Sequence, residues 1–310
     1  MFSHQLNQIR IEVSITPKAP FLIRSGRKGA DPTRPELECV RTAWGGIKSV
    51  YIPGSSLKGV MRSHAERLLL SENVEIFPTL KMSRVFNQKS EGDSVYAGTS
   101  PLGRTFGSLH LKGHVAVSDL LPGRFDDEGS ADREGQIALA NSVEQRNGVA
   151  IDRLLGTAAG KALFDQELVV QGRFDGQIVM RNVQLYQLAL LLLVVRDLDE
   201  GYVQIGSGTT RGNGWVQAKV RQLVIETRQN RGKDGVLQGI GALWPEGTTY
   251  KLFSSDTVEL PAGIQRVQRK MVWDQLILTQ KEEIDALAEA LIAGPWTRFL
   301  GQAKGQQWAA

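Results

Sequence analysis

Cysteine is almost missing from this chain: Cys39 is the single one in 310 residues. It cannot close an internal disulfide or build a thiolate zinc cage, so a disulfide scaffold and a zinc ribbon are both excluded. Histidine is scarce too, with four copies. His110 and His114 are four apart, but Gly113 lies between them and a strand pattern follows, which argues against a shared metal-binding helix face; they read as surface or core histidines. Long apolar runs are absent as well. The longest, residues 188–195, has eight members against the roughly 20 a bilayer crossing needs, so no transmembrane helix and no membrane partner is expected. The opening MFSHQLNQIRIEV lacks the apolar core and small-residue cleavage site of a secretory signal, and a cytoplasmic setting is predicted. Neither sign of charge dominates: 37 Lys and Arg face 33 Asp and Glu, a net charge of +4 that does not by itself identify a polyanion partner.

What is present is unevenly placed. Residues 1–70 hold eleven Lys and Arg against five Asp and Glu, and residues 206–233 hold six against one. Glycine, 33 copies, clusters in 98–113, 145–160 and 201–214, and these stretches read as shaped loops. With 41% apolar and 23% charged residues, the composition is that of a folded protein. No repeat of fixed period is visible, which argues against a solenoid.

Between the loops the apolar period changes in kind. Ile9, Ile11, Val13 and Ile15 sit two apart and predict a strand with one buried face. Leu57, Val60, Met61, His64, Ala65, Leu68 and Leu69 recur at three and four and predict an amphipathic helix, with Ser55 or Ser56 as its N-cap. Residues 113–119 and 168–180 predict two further strands, the second bent at Gly172 or Gly176, and 183–195 predicts a helix apolar nearly all round. Residues 215–225 predict the last core strand. The order strand, helix, strand, strand, helix, strand is that of an α+β, ferredoxin-like (RRM-like, βαββαβ) domain. It carries long insertions at 17–54, 71–112 and 120–166, where function is to be sought. Beyond it, 284–292 predicts a short helix ending at a Pro295-Trp296 break. Trp296, Phe299 and Trp308 are read as core packing, with docking on an adjacent subunit as the alternative.

Two segments have the chemistry of a phosphate grip. In IPGSSLKGVMR at 52–62, a Pro-Gly turn precedes a helix whose first N–H groups point at any anion in the turn. Lys58 and Arg62, four apart and opposite the apolar stripe, can add charge-assisted bonds; a capped helix with a solvated basic face is the competing reading. In IGSGTTRGNGWV at 205–216, four glycines permit close backbone approach, and Ser207, Thr209, Thr210 and Arg211 supply donors. Its competing reading is a Gly-rich hairpin. The spacing departs from G-x-G-x-x-G because Arg211 holds the last glycine position, so no dinucleotide cofactor is expected. The stretch GTSPLGRT at 98–105 misses the phosphate-loop pattern, with Arg104 for the lysine and Pro101 removing an N–H, which excludes nucleotide hydrolysis there.

Taken together, FLIRSG at 21–26, IPGSSLKGVMR at 52–62, NGVAIDRLLGTAAGKALFDQELV at 147–169 and IGSGTTRGNGWV at 205–216 resemble the RAMP superfamily, specifically the guide-RNA-binding backbone subunits of type III CRISPR-Cas effector complexes. The resemblance covers roughly residues 1–225. It implies a palm with an inserted β-hairpin thumb at about 120–166, and leaves 226–310 as a C-terminal extension on the palm or a neighbouring subunit. Implied partners are the guide crRNA, a target single-stranded RNA, and other RAMP and large subunits of the complex. The guide is held by its backbone through Arg24, Arg27, Lys28, Ser55, Ser56, Lys58, Arg62, Asn147, Arg153, Gly206, Ser207, Gly208, Thr209, Thr210, Arg211 and Gly212, while base pairing reads sequence. Ile151, Leu154 or Leu155 would wedge beside a flipped base pair. Many such subunits cut the paired target with an aspartate in the loop after the first strand, using Mg²⁺ or another divalent cation. Asp31 is the only acidic residue between Glu12 and Glu36 and is the candidate. A non-cleaving positioning subunit is the first alternative, and a stand-alone guide-processing ribonuclease the second.

Overall fold

A computed structural model describes residues 4–26, 35–74, 76, 92–125, 130–151, 154, 158–228, 235–264 and 268–304. Its centre is the strand that the two-residue alternation predicts, β1 (Asn7–Pro17). Ile9, Ile11, Val13 and Ile15 are buried; between them Arg10 and Glu12 are half-buried, and Ser14 is buried. A strand with one apolar face must lie against a covering layer, and here the same core cluster contains Leu57, Met61, Ala65 and Leu69 of α1 (Gly54–Ser71).

The insertion before α1 holds a small hairpin, β2 (Arg41–Trp44) with β3 (Ile47–Val50). After α1 come two short helices, α2 (Gly92–Gly98) and α3 (Pro101–Phe106), then β4 (Val115–Val117) and β5 (Leu121–Pro122). The segment that nearly matches a phosphate loop is thus a buried helix. Arg104 is wholly buried: Nε donates to the carbonyls of Tyr96 (3.0 Å) and Thr99 (2.9 Å), Nη2 donates to that of Ala97 (2.8 Å), and the guanidinium lies over the Tyr96 ring.

Residues 168–180 are not one bent strand. The third insertion holds α4 (Ser130–Asn141) and a hairpin of β6 (Val143–Ile151) and β7 (Ala158–Val169), and a separate strand, β8 (Phe174–Arg181), enters the main sheet. The chain turns at Gly172, which has φ +106° and packs so closely on α4 that a Cβ would lie 3.2 Å from the Ala140 backbone. Gly172 and Gly176 offer the same local signal four residues apart, so the pattern alone does not separate a bend from a turn between two strands.

Next comes α5 (Leu185–Glu200), buried nearly all round as its composition requires, and then β9 (Val216–Arg228). Helix α5 ends at Gly201, φ +84°. In the C-terminal part, β10 (Val236–Gln238) pairs with β11 (Thr257–Glu259), with α6 (Ile240–Leu243) between them. Strands β12 (Gln268–Lys270) and β13 (Trp273–Leu278) then extend the main sheet beyond β9. Its order is β12-β13-β9-β1-β8-β4, with β5 also on β8, and every recorded pairing is antiparallel.

The chain closes on α7 (Lys281–Leu291) and α8 (Thr297–Ala303). No break occurs at Pro295; one π turn, Ile292–Trp296, links the two helices. Pro295 has no N–H for the helical ladder, and the wider turn accommodates it while the Thr297 hydroxyl donates to the Ile292 carbonyl (2.9 Å). Trp296 and Phe299 are core residues, and Phe299 stacks on Tyr186 of α5 with centroids 4.1 Å apart. Trp308 lies outside the described residues. Among those described, no helix is long and apolar enough to cross a membrane.

Candidate nucleic-acid interface

Antiparallel pairing gathers distant segments at one end of the sheet. Ile15 near the end of β1 faces Phe174 at the start of β8, and Pro17 faces Val216 at the start of β9. Leu121 pairs with Asp175, Ile52 bridges Leu120, and the α1 start packs on residues 117–119. The stretch after β1, the start of α1, the glycine loop and the stem of the β6–β7 hairpin therefore share one edge.

The glycine loop is sewn onto the stretch after β1. The Ile205 N–H donates to the Gly214 carbonyl (3.0 Å) and closes the neck, Ser207 N–H donates to Leu22 (2.8 Å), and Gly214 N–H donates to Pro20 (2.8 Å). A Cβ on Gly206 would lie 2.3 Å from the Leu22 carbonyl oxygen, and one on Gly214 2.3 Å from that of Ile205. Both glycines have positive φ, +78° and +92°. No other residue fits there without moving the backbone. At the tip, Thr209–Arg211 make one 3₁₀ turn between left-handed Gly208 and Gly212. Gly206, Thr210, Arg211 and Gly212 are exposed, while Ser207, Gly208 and Thr209 are half-buried. The Arg211 guanidinium sits 5.3 Å from the Phe164 ring of β7, so it spans from the loop to the hairpin.

The hairpin stem is tied in by short bridges. Phe21 and Val169 exchange two backbone hydrogen bonds (3.0 and 2.8 Å), and Leu37 N–H donates to Asp165 while Glu167 N–H donates to Leu37. Arg24 bridges Cys39 through the backbone and is exposed. Asn147 is exposed on β6 opposite Asp165, and next to it Gly148 leaves the space that the Phe164 ring fills. Beside the stem, Pro35, Glu38, Arg41, Lys48, Asn141 and Glu167 line an open polar groove of about 420 Å³. Arg41 Nη1 donates to Glu167 Oε2 (2.8 Å), which also accepts the Cys39 N–H (3.0 Å). Burial, reinforced by Glu167, pushes the Cys39 thiol up to about 12, so it stays an inert thiol at neutral pH.

The start of α1 is organised differently from the sequence expectation. Neither serine is the N-cap: Pro53 occupies that position, and Ser55 (exposed) and Ser56 (half-buried) lie inside the first turn. The Gly54 N–H donates to the Asp119 carboxylate (2.8 Å), so the anion at this helix end is the protein's own. Lys58 and Arg62 do not form a free solvated face. Lys58 Nζ donates to the Val115 carbonyl of β4 (2.8 Å) and Arg62 Nη1 to that of Gly107 (2.8 Å), so the two side chains tie β4 and the end of the second insertion to α1. Burial, with Arg62 next, lowers the Lys58 pKa. Asp119 is 65 positions from Gly54, and no local signal in the sequence connects them.

Arg27, Lys28, Asp31 and Arg153 lie outside the described residues, as do Asp152 and Leu155. Leu154 is 95% exposed. Of the histidines, His4 and His110 are exposed, and His64 and His114 are buried. His114 Nδ1 donates to the Arg181 carbonyl (2.7 Å), Nε2 accepts from the Tyr96 hydroxyl (3.0 Å), and burial lowers its pKa to about 4. It is neutral and fully engaged. His64 Nε2 bonds Asp197 Oδ2 (2.6 Å) inside the core. Among the described residues no group of three His, Cys, Asp or Glu side chains is placed to hold a metal ion.

Comparison with known families gives a match to the RAMP superfamily over residues 19–217, well over half of the chain. No curated protein matches. Among solved structures, a chain described as "Type IV-B CRISPR Complex" is similar, at 19% identity and TM-score 0.46, over 68% of this chain and 90% of that one.

Proposed function

The chain belongs to the RAMP superfamily, and from that premise we propose that it is a guide-RNA-binding backbone subunit of a CRISPR-Cas effector complex of the type III kind. The observation that carries this reading is the edge where the glycine loop, with exposed Arg211, meets exposed Arg24 and the stem of the β6–β7 hairpin. Open backbone, hydroxyls and cations recognise a ribose-phosphate strand whatever its bases. The strand order β9-β1-β8-β4, with α1 and α5 packed on the same core, supports a ferredoxin-like palm, and the hairpin supports a thumb. The guide, a paired target RNA and neighbouring RAMP and large subunits are the partners this reading implies. Residues 1–225 would form palm and thumb, and 226–310 the extension whose β13 and α7 pack on the palm.

Target cleavage is assigned to Asp31, which would act beside the scissile phosphate as base for the adjacent 2′-hydroxyl, with Arg24, Arg27 or Lys28 offsetting phosphate charge. A divalent cation would add charge neutralisation at that phosphate. The described residues offer no ligand set for one. One sequence observation favours a second reading, a subunit that only positions RNA: the loop RSGRKGADP carries a single carboxylate.

The first test is extraction of RNA from the purified protein with its companion subunits; a preparation that never retains RNA overturns the reading. The second is Asp31→Ala in the assembled complex. Loss of target cutting with unchanged assembly and affinity supports cleavage at Asp31, and no product from the parent complex at any divalent concentration selects the positioning subunit.

A further inference from the structure

Two aromatic side chains at the neck of the glycine loop have no part in the reading above. Tyr202 is 70% exposed and Trp215 38%. The backbone that carries each is held by hydrogen bonds. The Trp215 carbonyl accepts the N–H groups of Lys18 (2.9 Å) and Ala19 (3.0 Å), and the Tyr202 N–H donates to the Asp197 carbonyl (2.9 Å). The indole lies on Gly201, where a Cβ would come 2.9 Å from Cζ3; as Gly201 also needs φ +84° to end α5, the ring has a bare, rigid support. Among the described residues, neither the indole N–H nor the Tyr202 hydroxyl has a hydrogen-bond partner.

The surroundings are polar. Lys18 is exposed, with Nζ donating to the Asp199 carbonyl (3.0 Å), and Lys219 and Arg211 are exposed on the same stretch of chain. Two separate rings among charged groups do not make the contiguous apolar patch of a protein interface. They suit a ligand with a π face, polar edges and attached negative charge, which is a nucleobase on its strand.

We propose that Trp215 and Tyr202 form a stacking platform for a nucleobase of the strand whose phosphates the glycine loop grips, an inference that rests on the RNA-binding reading. The platform accepts any base, since every base has a π face. It would hold the strand against the loop by a contact that salt does not screen.

The test compares two strands of equal length by fluorescence polarisation on the full chain: an oligouridylate and an abasic ribose-phosphate strand. The parent protein is expected to prefer the oligouridylate by about tenfold. Trp215→Ala should remove that preference and leave the abasic affinity unchanged, Trp215→Phe should keep most of it, and Tyr202→Ala, on an exposed turn, should reduce it without lowering the melting temperature. A full preference retained in Trp215→Ala and Tyr202→Ala overturns the platform while leaving phosphate gripping intact. So does an equal loss for both strands, or a change in sedimentation with RNA affinity untouched, which would mark a subunit contact. If the parent protein retains neither strand, the RNA-binding reading falls first and the platform with it.

Discussion

The glycine loop and the start of α1 carry the same ingredients, a glycine turn, hydroxyls and two or fewer cations, yet the fold uses them in opposite ways. At the start of α1 the charged groups are engaged within the fold: Asp119 accepts the Gly54 N–H, and Lys58 and Arg62 donate to the carbonyls of Val115 and Gly107. At the glycine loop the backbone is fastened from behind, by Leu22 and Pro20, and Thr210 and Arg211 are left on the surface. On the RNA-binding reading proposed above, the difference teaches that a basic, glycine-bearing motif can serve a strand where other backbone satisfies its anchoring groups and leaves its cations over. Hydrogen bonds to a charged donor contribute more than neutral ones, so a carbonyl of the fold within reach competes with any phosphate in solution.

This contrast can be broken by substitution, starting with the largest expected effect. Gly206→Ala and Gly214→Ala each place a methyl 2.3 Å from a carbonyl oxygen at a positive φ. Each should lower stability on the order of 3 kcal/mol and detach the loop, with RNA binding lost in step. Thermal melting alongside RNA affinity reads both, and a variant that melts normally and binds normally would refute the fastening described here.

Next come Asp119→Ala and Lys58→Ala. Loss of the carboxylate at the α1 start should cost about 1 kcal/mol, and loss of the lysine bond a similar amount. Neither should change RNA affinity once the protein is folded. Arg211→Ala reverses the pattern: melting stays put, affinity falls several-fold for all sequences alike, and the logarithmic salt slope shrinks by about 1. An RNA defect in Lys58→Ala with normal melting would erase the distinction between the two sites.

The smallest effect sharpens the contrast within α1 itself. Gly59 is exposed inside the helix and a Cβ there would meet nothing within 4 Å. Gly59→Ala should therefore raise stability by about 0.5–1 kcal/mol through helix propensity, with binding unchanged. Denaturant midpoints of the two proteins decide it; a fall in affinity would mean that bound RNA approaches this turn of the helix closely.

Much of the frame was legible from apolar spacing. The two-residue alternation of β1 and the three-four recurrence of α1 follow directly from which side chains must leave water, and both appear where the pattern puts them. The glycine loop was legible because few residues tolerate its backbone. The seam between β7 and β8 was not, since Gly172 and Gly176 look alike locally and the turn at Gly172 is packed against α4 at Ala140. The extension's β13 was missed because six residues carry too little pattern of their own; the strand is defined by pairing with β9 on one side and β12 on the other. The turn at Pro295 was misread as a stop because proline's missing N–H can be absorbed by a wider turn when Trp296 and Phe299 are anchored in the core.

The sequence by itself determined β1, α1, α5 and the glycine loop, because local backbone preference and hydrophobic period act over a few residues at a time. Which of the charged and aromatic groups are left facing solvent was decided only by the tertiary structure. That outcome depends on partners such as Asp119, Leu22 and Phe164, brought together across long stretches of chain by antiparallel pairing, and a hydrogen-bonding group is committed or free only according to what lies within about 3 Å of it.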